Sequence, residues 1–201
     1  MDSSDDSLRQ LSAEDLITLG IEYSEAGDYE NGIAALGKAI SLNSDYTYLA
    51  YSNRGYIYFR KGDIDNAIYD LTQSIQLDPS FEFARNHRGE VYLSQNDFVH
   101  AIADFTAAID INPVYARALY NRFNAYFNTG EYDKAISDYK RAINRDNGIA
   151  WMYHKKIDFE KAIADLKAIL QSEPDNTEAR NNLDIVQNLF WFTKGPPKRQ
   201  G

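Results

Sequence analysis

A short pattern of residues recurs in this chain every 34 or 35 positions, and it limits the possible folds more than any other feature. Each of the first three copies contains a Gly, a Tyr three residues later, a Gly-Asp or Asn-Asp turn and then a small residue. The small residues of successive copies lie 35, 34 and 34 positions apart, at Gly32, Ala67, Ala101 and Ala135. Such a period is typical of a solenoid, in which each unit buries its apolar face against its neighbours. The pattern predicts a long exposed surface suited to another chain.

The second copy shows what each repeat contains. Apolar and small residues recur at helical spacing on both sides of Gly62-Asp63. Gly62 supplies the left-handed residue that ends the first helix, and Asp63 can cap the second, which Pro79 stops. Each repeat is therefore predicted to form two antiparallel helices joined by a short turn. Ser12 and Asp15 form a potential capping box, so the first helix should begin near Ala13.

These residues resemble those of the tetratricopeptide repeat. The resemblance implies an all-α fold, a right-handed α-solenoid of helix-turn-helix repeats with a C-terminal capping helix. Leu36, Leu71, Phe105 and Tyr139 occupy the positions of the family's large packing side chains. We expect four full repeats, one truncated repeat and a capping helix, at 13–46, 48–81, 82–115, 116–149, 150–176 and 177–192. An acidic flexible segment (1–12) should precede them, and a flexible tail (193–201) should follow.

Two departures from the repeat pattern carry structural expectations. Phe123 occupies the position of the family Gly in the fourth repeat, and its ring should splay the two helices apart there. The fifth repeat is shorter because Ala135 and Ala162 are 27 positions apart. About two helical turns are missing from its first helix. We expect the array to bend or loosen at this point.

Charge and composition restrict the partners. The formal net charge is −9 and the sequence pI is about 4.8, which opposes binding to nucleic acid or to anionic membranes. The most apolar late stretch, Ile185–Phe192, is too short to span a bilayer. The chain contains no cysteine, a composition that fits a reducing, cytoplasmic location. The expected partner is a protein or peptide.

Catalytic and cofactor motifs are missing from the sequence. The three histidines lie in different repeats without metal-ligand spacing, and no glycine-rich phosphate loop or nucleophile motif is present. Carboxylates such as Asp104 and Asp165 follow the repeat on the outer helices, as solvated faces do. The sequence therefore predicts a protein that is not an enzyme and that needs no metal or cofactor.

The resemblance implies that the first helices line the concave surface. On each of them, residues at i, i+3, i+4 and i+7 form one face that the packing positions leave unused. This inner stripe is rich in amides and aromatics and is nearly neutral. We expect its members to bind an extended peptide, and the candidates are Asn53, Tyr56, Phe59, Phe83, Asn86, Glu90, Arg117, Tyr120, Asn121, Asn124 and Phe127.

The chemistry of the stripe supports this hypothesis and leaves an alternative. An amide can donate to and accept from a peptide backbone at once, so Asn53, Asn86, Asn121 and Asn124 could grip a main chain. The aromatic members would take apolar side chains of the peptide. The alternative is that the same residues are merely solvated or structural. The residues that family members use to clamp chaperone carboxylates are largely replaced in this chain, so binding to acidic chaperone tails is not expected.

Two apolar clusters remain open to interpretation. Ile17 and Ile21 lie on the inner stripe of the first helix, covered either by Leu8 and Leu11 or by a ligand. Near the end of the chain, Leu189-Phe190-Trp191-Phe192 cannot all face the last repeat. The alternative function is therefore a structural protein that self-associates through Trp191 and Phe192.

Overall fold

The fold is a series of antiparallel helix pairs. A computed structural model describes residues 11–143 and 159–194, apart from a few side chains, and every regular element in these ranges is a helix. The helices, numbered in chain order, are α1 (Ala13–Glu25), α2 (Tyr29–Ser41), α3 (Thr47–Lys61), α4 (Ile64–Leu77), α5 (Glu82–Ser94), α6 (Phe98–Ile111), α7 (Ala116–Asn128), α8 (Tyr132–Ile143), α9 (Phe159–Ser172) and α10 (Thr177–Lys194).

The chain divides into two compact units, one ending at Pro113 and one beginning at Val114. In the first unit, α1 packs on α2, α3 on α4 and α5 on α6. Successive pairs are joined by α2 against α3 and α4 against α5, and the first helices α1, α3 and α5 also touch in sequence. In the second unit, α7 packs on α8 and α9 on α10, and α10 contacts α8.

The local signals read from the sequence determine where the helices begin and end. The predicted capping box is confirmed: the Ser12 hydroxyl accepts from the Asp15 N–H at 3.1 Å, and the Asp15 carboxylate accepts from the Ser12 N–H. Gly62 ends α3 with φ 83°, in the left-handed region. Asp63 caps α4 by accepting from the Asn66 N–H. Both of these predictions are confirmed.

The core of the first unit is built from aliphatic and small side chains. Leu16, Ile17, Leu36 and Ile57 form one buried cluster with Ala39 and Ala50. A second cluster joins Ala67, Leu71, Ala84 and Val91. A fully buried Leu contributes roughly 2 kcal/mol relative to an exposed one, so these clusters hold the successive pairs together.

The core of the second unit is aromatic. The Phe123 ring is buried, 5.3 Å from the Tyr120 ring, 5.9 Å from Phe127 and 5.2 Å from Tyr139. Phe127 continues the cluster to Phe159 on α9 at 5.2 Å. The helices α7 and α8 pack on each other around this cluster. The splaying of the two helices at Phe123 stays a prediction.

Several expectations lie outside the described residues. These are the flexibility of residues 1–10 and of the tail from 195, the shortened first helix of the fifth repeat before Phe159, and the side chains of Trp191 and Phe192. Within the described ranges, no helix is both long enough and apolar enough to cross a membrane.

Candidate functional site

On α3 and α5 of the first unit, the inner stripe offers aromatic surface to solvent. Phe83, at the start of α5, is 44% exposed. Tyr56 and His87 are half-buried, and Phe59 is half-buried against the Ala67–Leu71 cluster. Arg60, in the last turn of α3, is exposed. These side chains form a partly open face on two neighbouring helices.

Ring stacking connects α3 to its neighbours on this face. The Tyr56 ring stacks on the His87 ring with centroids 4.6 Å apart and an interplanar angle of 25°. The Arg60 guanidinium lies over the Tyr56 ring at 5.9 Å and over the Tyr29 ring of α2 at 5.7 Å. Hydrogen bonding to Tyr56, with the electrostatic effect of Tyr29, raises the pKa of Arg60. Four side chains from three repeats therefore form one row of ring and cation–π contacts, Tyr29–Arg60–Tyr56–His87.

The amides of the first unit are less available than the sequence suggests. The Asn53 Nδ2 donates to the Leu49 carbonyl at 2.8 Å, and Asn53 remains half-buried. Asn86 is fully buried, and its Nδ2 donates to the Glu90 carboxylate at 3.2 Å. Glu90 is half-buried. The amide row is interrupted at Asn86, and Asn53 keeps some surface on the stripe.

On α7 in the second unit, most of the stripe is buried. Tyr120, Asn121 and Phe127 are each less than a tenth exposed, because the aromatic core around Phe123 includes both rings. Arg117 and Asn124 are half-buried. The Asn124 Oδ1 accepts from the Asn128 Nδ2 at 2.8 Å. The surface of this stripe therefore belongs mainly to Arg117, Asn124 and Asn128.

The apolar pair on α1 divides between core and surface. Ile17 is buried in the first aliphatic cluster, and Leu11 packs against that cluster. Ile21 is 36% exposed. The expected cover by the N-terminal segment is therefore observed for Leu11, while Leu8 lies outside the described residues.

Sequence reasoning missed an ion pair that recurs in three repeats. Arg54, Arg88 and Arg122 each donate both Nε and Nη2 to the carboxylate sixteen residues later, at 2.6 to 2.9 Å. These carboxylates belong to Asp70, Asp104 and Asp138 and are nearly inaccessible to solvent. The signal was present as an Arg-to-Asp spacing of sixteen residues that recurs in repeats two, three and four.

These pairs correct one expectation and explain part of the joint between repeats. Asp104 is buried and paired, so its assignment to a solvated face was wrong, whereas Asp165 is exposed. Arg88 also donates to the Thr72 hydroxyl of the preceding repeat at 2.9 Å. Hydrogen bonding to Asp104 raises the pKa of Arg88, against the opposing effect of burial. The pair therefore ties α5 to both α4 and α6.

No group of histidine and carboxylate side chains that could hold a metal ion occurs within residues 11–143 and 159–194. On α3 and α5 the stripe combines a pair of stacked rings, one exposed guanidinium and one exposed aromatic ring.

Comparison with known proteins locates the repeats. Family models described as tetratricopeptide repeat match residues 16–46, 48–81 and 86–151. Human serine/threonine-protein phosphatase 5 and its rat counterpart are each 38% identical to this chain over 69 residues. That match covers 34% of this chain and 14% of the phosphatase, so it concerns a small part of those relatives.

Solved structures share the fold at low sequence identity. MamA has a TM-score of 0.60 at 22% identity and covers 91% of this chain and 94% of its own. A thermophilic repeat protein from Thermus thermophilus has a TM-score of 0.63 at 16% identity, over 88% of this chain and all of its own. The first repeat domain of Spaghetti (RPAP3), solved with an HSP90 peptide, has a TM-score of 0.52 at 22% identity and covers 73% and 95%.

Proposed function

Since this chain belongs to the tetratricopeptide repeat family, we propose that it is a non-catalytic interaction scaffold whose first helices bind an extended segment of a partner protein. The family fold supports the class of function, because a solenoid exposes long helix faces and forms no enclosed pocket. The similar RPAP3 domain is a relative in fold that has been solved with a peptide.

The observation that carries the proposal is the partly exposed aromatic row on α3 and α5. Phe83 is 44% exposed, and Tyr56 and His87 stack beside it on the same stripe. Aromatic rings bury a large area at a low cost in side-chain entropy, and they dominate the binding energy at protein interfaces. A face of this kind suits apolar side chains of a peptide that crosses the two helices.

The amides have a narrower role in the proposal than the sequence suggested. Asn53 keeps a half-buried amide whose Oδ1 can accept from a peptide N–H, since its Nδ2 already donates to Leu49. Asn86 is buried, so it positions Glu90 through its hydrogen bond. We propose Asn53 as a contact to the peptide main chain and Asn86 as a support.

The second unit has a candidate surface of its own. Arg117 and Asn124 keep exposed area on α7, whereas Tyr120, Asn121 and Phe127 hold the core beneath them. We propose Arg117 and Asn124 as the members of this stripe that contact a partner.

Peptide binding can be tested with a phage-displayed library of random twelve-residue peptides selected on the whole protein. Enriched peptides are then labelled, and their affinities are measured by fluorescence polarisation. Tyr56→Ala and Phe83→Ala should each weaken binding by roughly tenfold or more, the usual effect of truncating an aromatic hot spot. The matched control is Tyr69→Ala, because Tyr69 is 58% exposed on the second helix α4. A selection that enriches nothing, or a loss of binding in Tyr69→Ala alone, would overturn the proposal.

A second candidate function is self-association through the C-terminal helix. Leu189 is buried, and the Phe190 ring faces Phe159 at 6.3 Å, so these two residues use the inner side of α10. Trp191 and Phe192 follow them directly in the sequence. This alternative requires a molecular mass that rises with concentration in sedimentation and falls when Trp191 and Phe192 are replaced by Ser. A constant monomer mass at high micromolar concentration would exclude it.

A further inference from the structure

The first unit contains a guanidinium whose binding edge faces no carboxylate of the described chain. Two other arginines of this unit form ion pairs: Arg54 donates to Asp70, and Arg88 donates to Asp104. The lysine next to Arg60, Lys61, pairs with Glu30. No ion pair joins Arg60 to a carboxylate among the described residues, although residues 1–113 contain 19 acidic and 7 basic side chains. The nearest carboxylate in sequence, Asp63, accepts from the Asn66 N–H and from its side-chain amide.

The structure holds this guanidinium in place. Its central carbon lies 5.7 Å from the centroid of the Tyr29 ring and 5.9 Å from that of the Tyr56 ring, and hydrogen bonding to Tyr56 raises its pKa. A guanidinium carries five N–H donors, so those that do not bond the two tyrosines can donate to an anion. A held guanidinium loses less side-chain entropy when it binds, which strengthens each hydrogen bond it forms.

The residues around Arg60 indicate which kind of side chain a partner would place beside its anionic group. The row of contacts continues from Tyr56 to His87 on α5 by ring stacking, and Phe83 lies one helical turn before His87. Phe83 is substantially exposed, and so is Ile21 on α1. Apolar surface therefore lies on α1 and on α5, the two first helices next to α3, which carries Arg60. A peptide that reaches the guanidinium can place large apolar side chains on this surface.

The charge of the unit limits how acidic the partner can be. Because residues 1–113 have a large excess of carboxylates, a run of acidic residues would be repelled at every position except the one next to Arg60. Screening at physiological salt acts beyond roughly 8 Å, so one acidic residue can bind locally while its neutral neighbours avoid the repulsion. The arrangement favours one carboxylate within an otherwise neutral, apolar segment.

We infer that Arg60 is the specificity-determining residue of the inner stripe, and that it selects a partner segment with a single Asp or Glu flanked within a few residues by large apolar side chains. This inference rests on the proposed function and adds the chemical class of the partner. The carboxylate accepts two N–H bonds from the Arg60 edge, and the apolar side chains pack on Phe83 and the Tyr56–His87 stack.

The test is a comparison of the peptide library selected on three forms of the whole protein. Wild type should enrich peptides with one acidic position beside apolar residues. Arg60→Gln should lose the acidic preference, and affinities for the wild-type peptides should fall by roughly tenfold or more, as expected for a lost charge-assisted bond. Arg60→Glu should shift the preference at that position to Lys or Arg. Lys61→Gln is the matched control, since it removes the same charge one residue away and should keep the acidic preference.

The outcomes separate this inference from the proposed function. Enrichment of apolar peptides with no acidic position, or an acidic preference that persists in Arg60→Glu, would overturn the role of Arg60 and leave peptide binding intact. A wild-type selection that enriches no peptide would overturn both. Circular dichroism of the Arg60 variants should match that of wild type, because Arg60 is exposed at the end of α3.

Discussion

The contact between the first and the second helix is packed differently in the second repeat and in the fourth. In the second repeat, Gly55 lets α3 approach α4 so closely that a methyl group built there would lie 2.9 Å from the Leu71 Cγ. In the fourth repeat, Phe123 occupies the equivalent position on α7, and its buried ring faces Tyr139 at 5.2 Å. The equivalent helix–helix contacts are therefore filled in two ways, by a close backbone approach at Gly55 and by an aromatic ring at Phe123.

The difference between these joints also decides which residues remain on the surface. Around Gly55 the joint is closed by the aliphatic Leu71, and Tyr56 and Phe59 stay half-buried on the stripe. Around Phe123 the joint is aromatic, and it draws Tyr120 and Phe127 into the core. A large residue in the packing position thus removes aromatic surface from the inner face of its own helix.

Removing the ring from the fourth repeat tests this comparison with the largest effect. Phe123→Ala should lower the free energy of unfolding of the whole protein by about 4 kcal/mol, because it leaves a cavity among three other rings. Denaturant unfolding followed by circular dichroism measures the change. Val99→Ala, at a side chain that is 77% exposed, should change stability by less than about 0.5 kcal/mol. A loss below about 1 kcal/mol in Phe123→Ala would mean that the ring does not hold the joint.

The buried ion pairs are a second difference between repeats that can be tested. Asp70→Ala should cost about 3 kcal/mol, because it leaves the Arg54 guanidinium without its carboxylate. Repeat one carries Leu19 and Ala35 at the two equivalent positions and folds without the pair. Arg54→Leu combined with Asp70→Ala should therefore recover most of the loss in the same unfolding measurement. A double variant as unstable as the sum of the single variants would contradict this account.

The aromatic joint also predicts a dependence on alkaline pH. Burial raises the pKa of Tyr139 to about 12, above its ordinary value of 10.0. Below pH 10 both the folded and the unfolded chain keep this proton. As the pH rises from about 10 to 12, the unfolded chain loses it first, so the free energy of unfolding should fall by about 1.4 kcal/mol per pH unit. Tyr139→Phe should remove this part of the pH dependence, and an unchanged slope in that variant would place Tyr139 outside the core.

Much of the fold could be predicted from the sequence, since its signals are local and recur. The Ser12 capping box, the left-handed Gly62 and the Asp63 cap each depend on residues within one turn. The effect of Phe123 could not be predicted in the same way. Whether the Phe123 ring separates the two helices depends on how Tyr139 on the facing helix packs against it. That packing is a property of the helix pair and not of a local sequence signal.

For the candidate site, the sequence indicated which residues share one helix face but not which of them are exposed to solvent. Helical spacing places Tyr56 and Arg60 on one face of α3. It does not tell how exposed each residue is, because exposure also depends on the packing behind each helix. Asn86 was expected to face a ligand and instead bonds Glu90 from a buried position. The stack of Tyr56 on His87 joins residues 31 positions apart, a contact that follows from the repeat only after the register of α3 against α5 is known.

The most direct test of the central claim is a map of where a selected peptide binds. Isotope-labelled protein is titrated with an enriched library peptide, and amide chemical shifts are followed by NMR. We predict perturbations on α3 and α5, around Tyr56, Arg60 and His87, with the outer helix α4 at Tyr69 unchanged. Perturbations confined to the outer helices, or to α10, would contradict a binding face on the first helices.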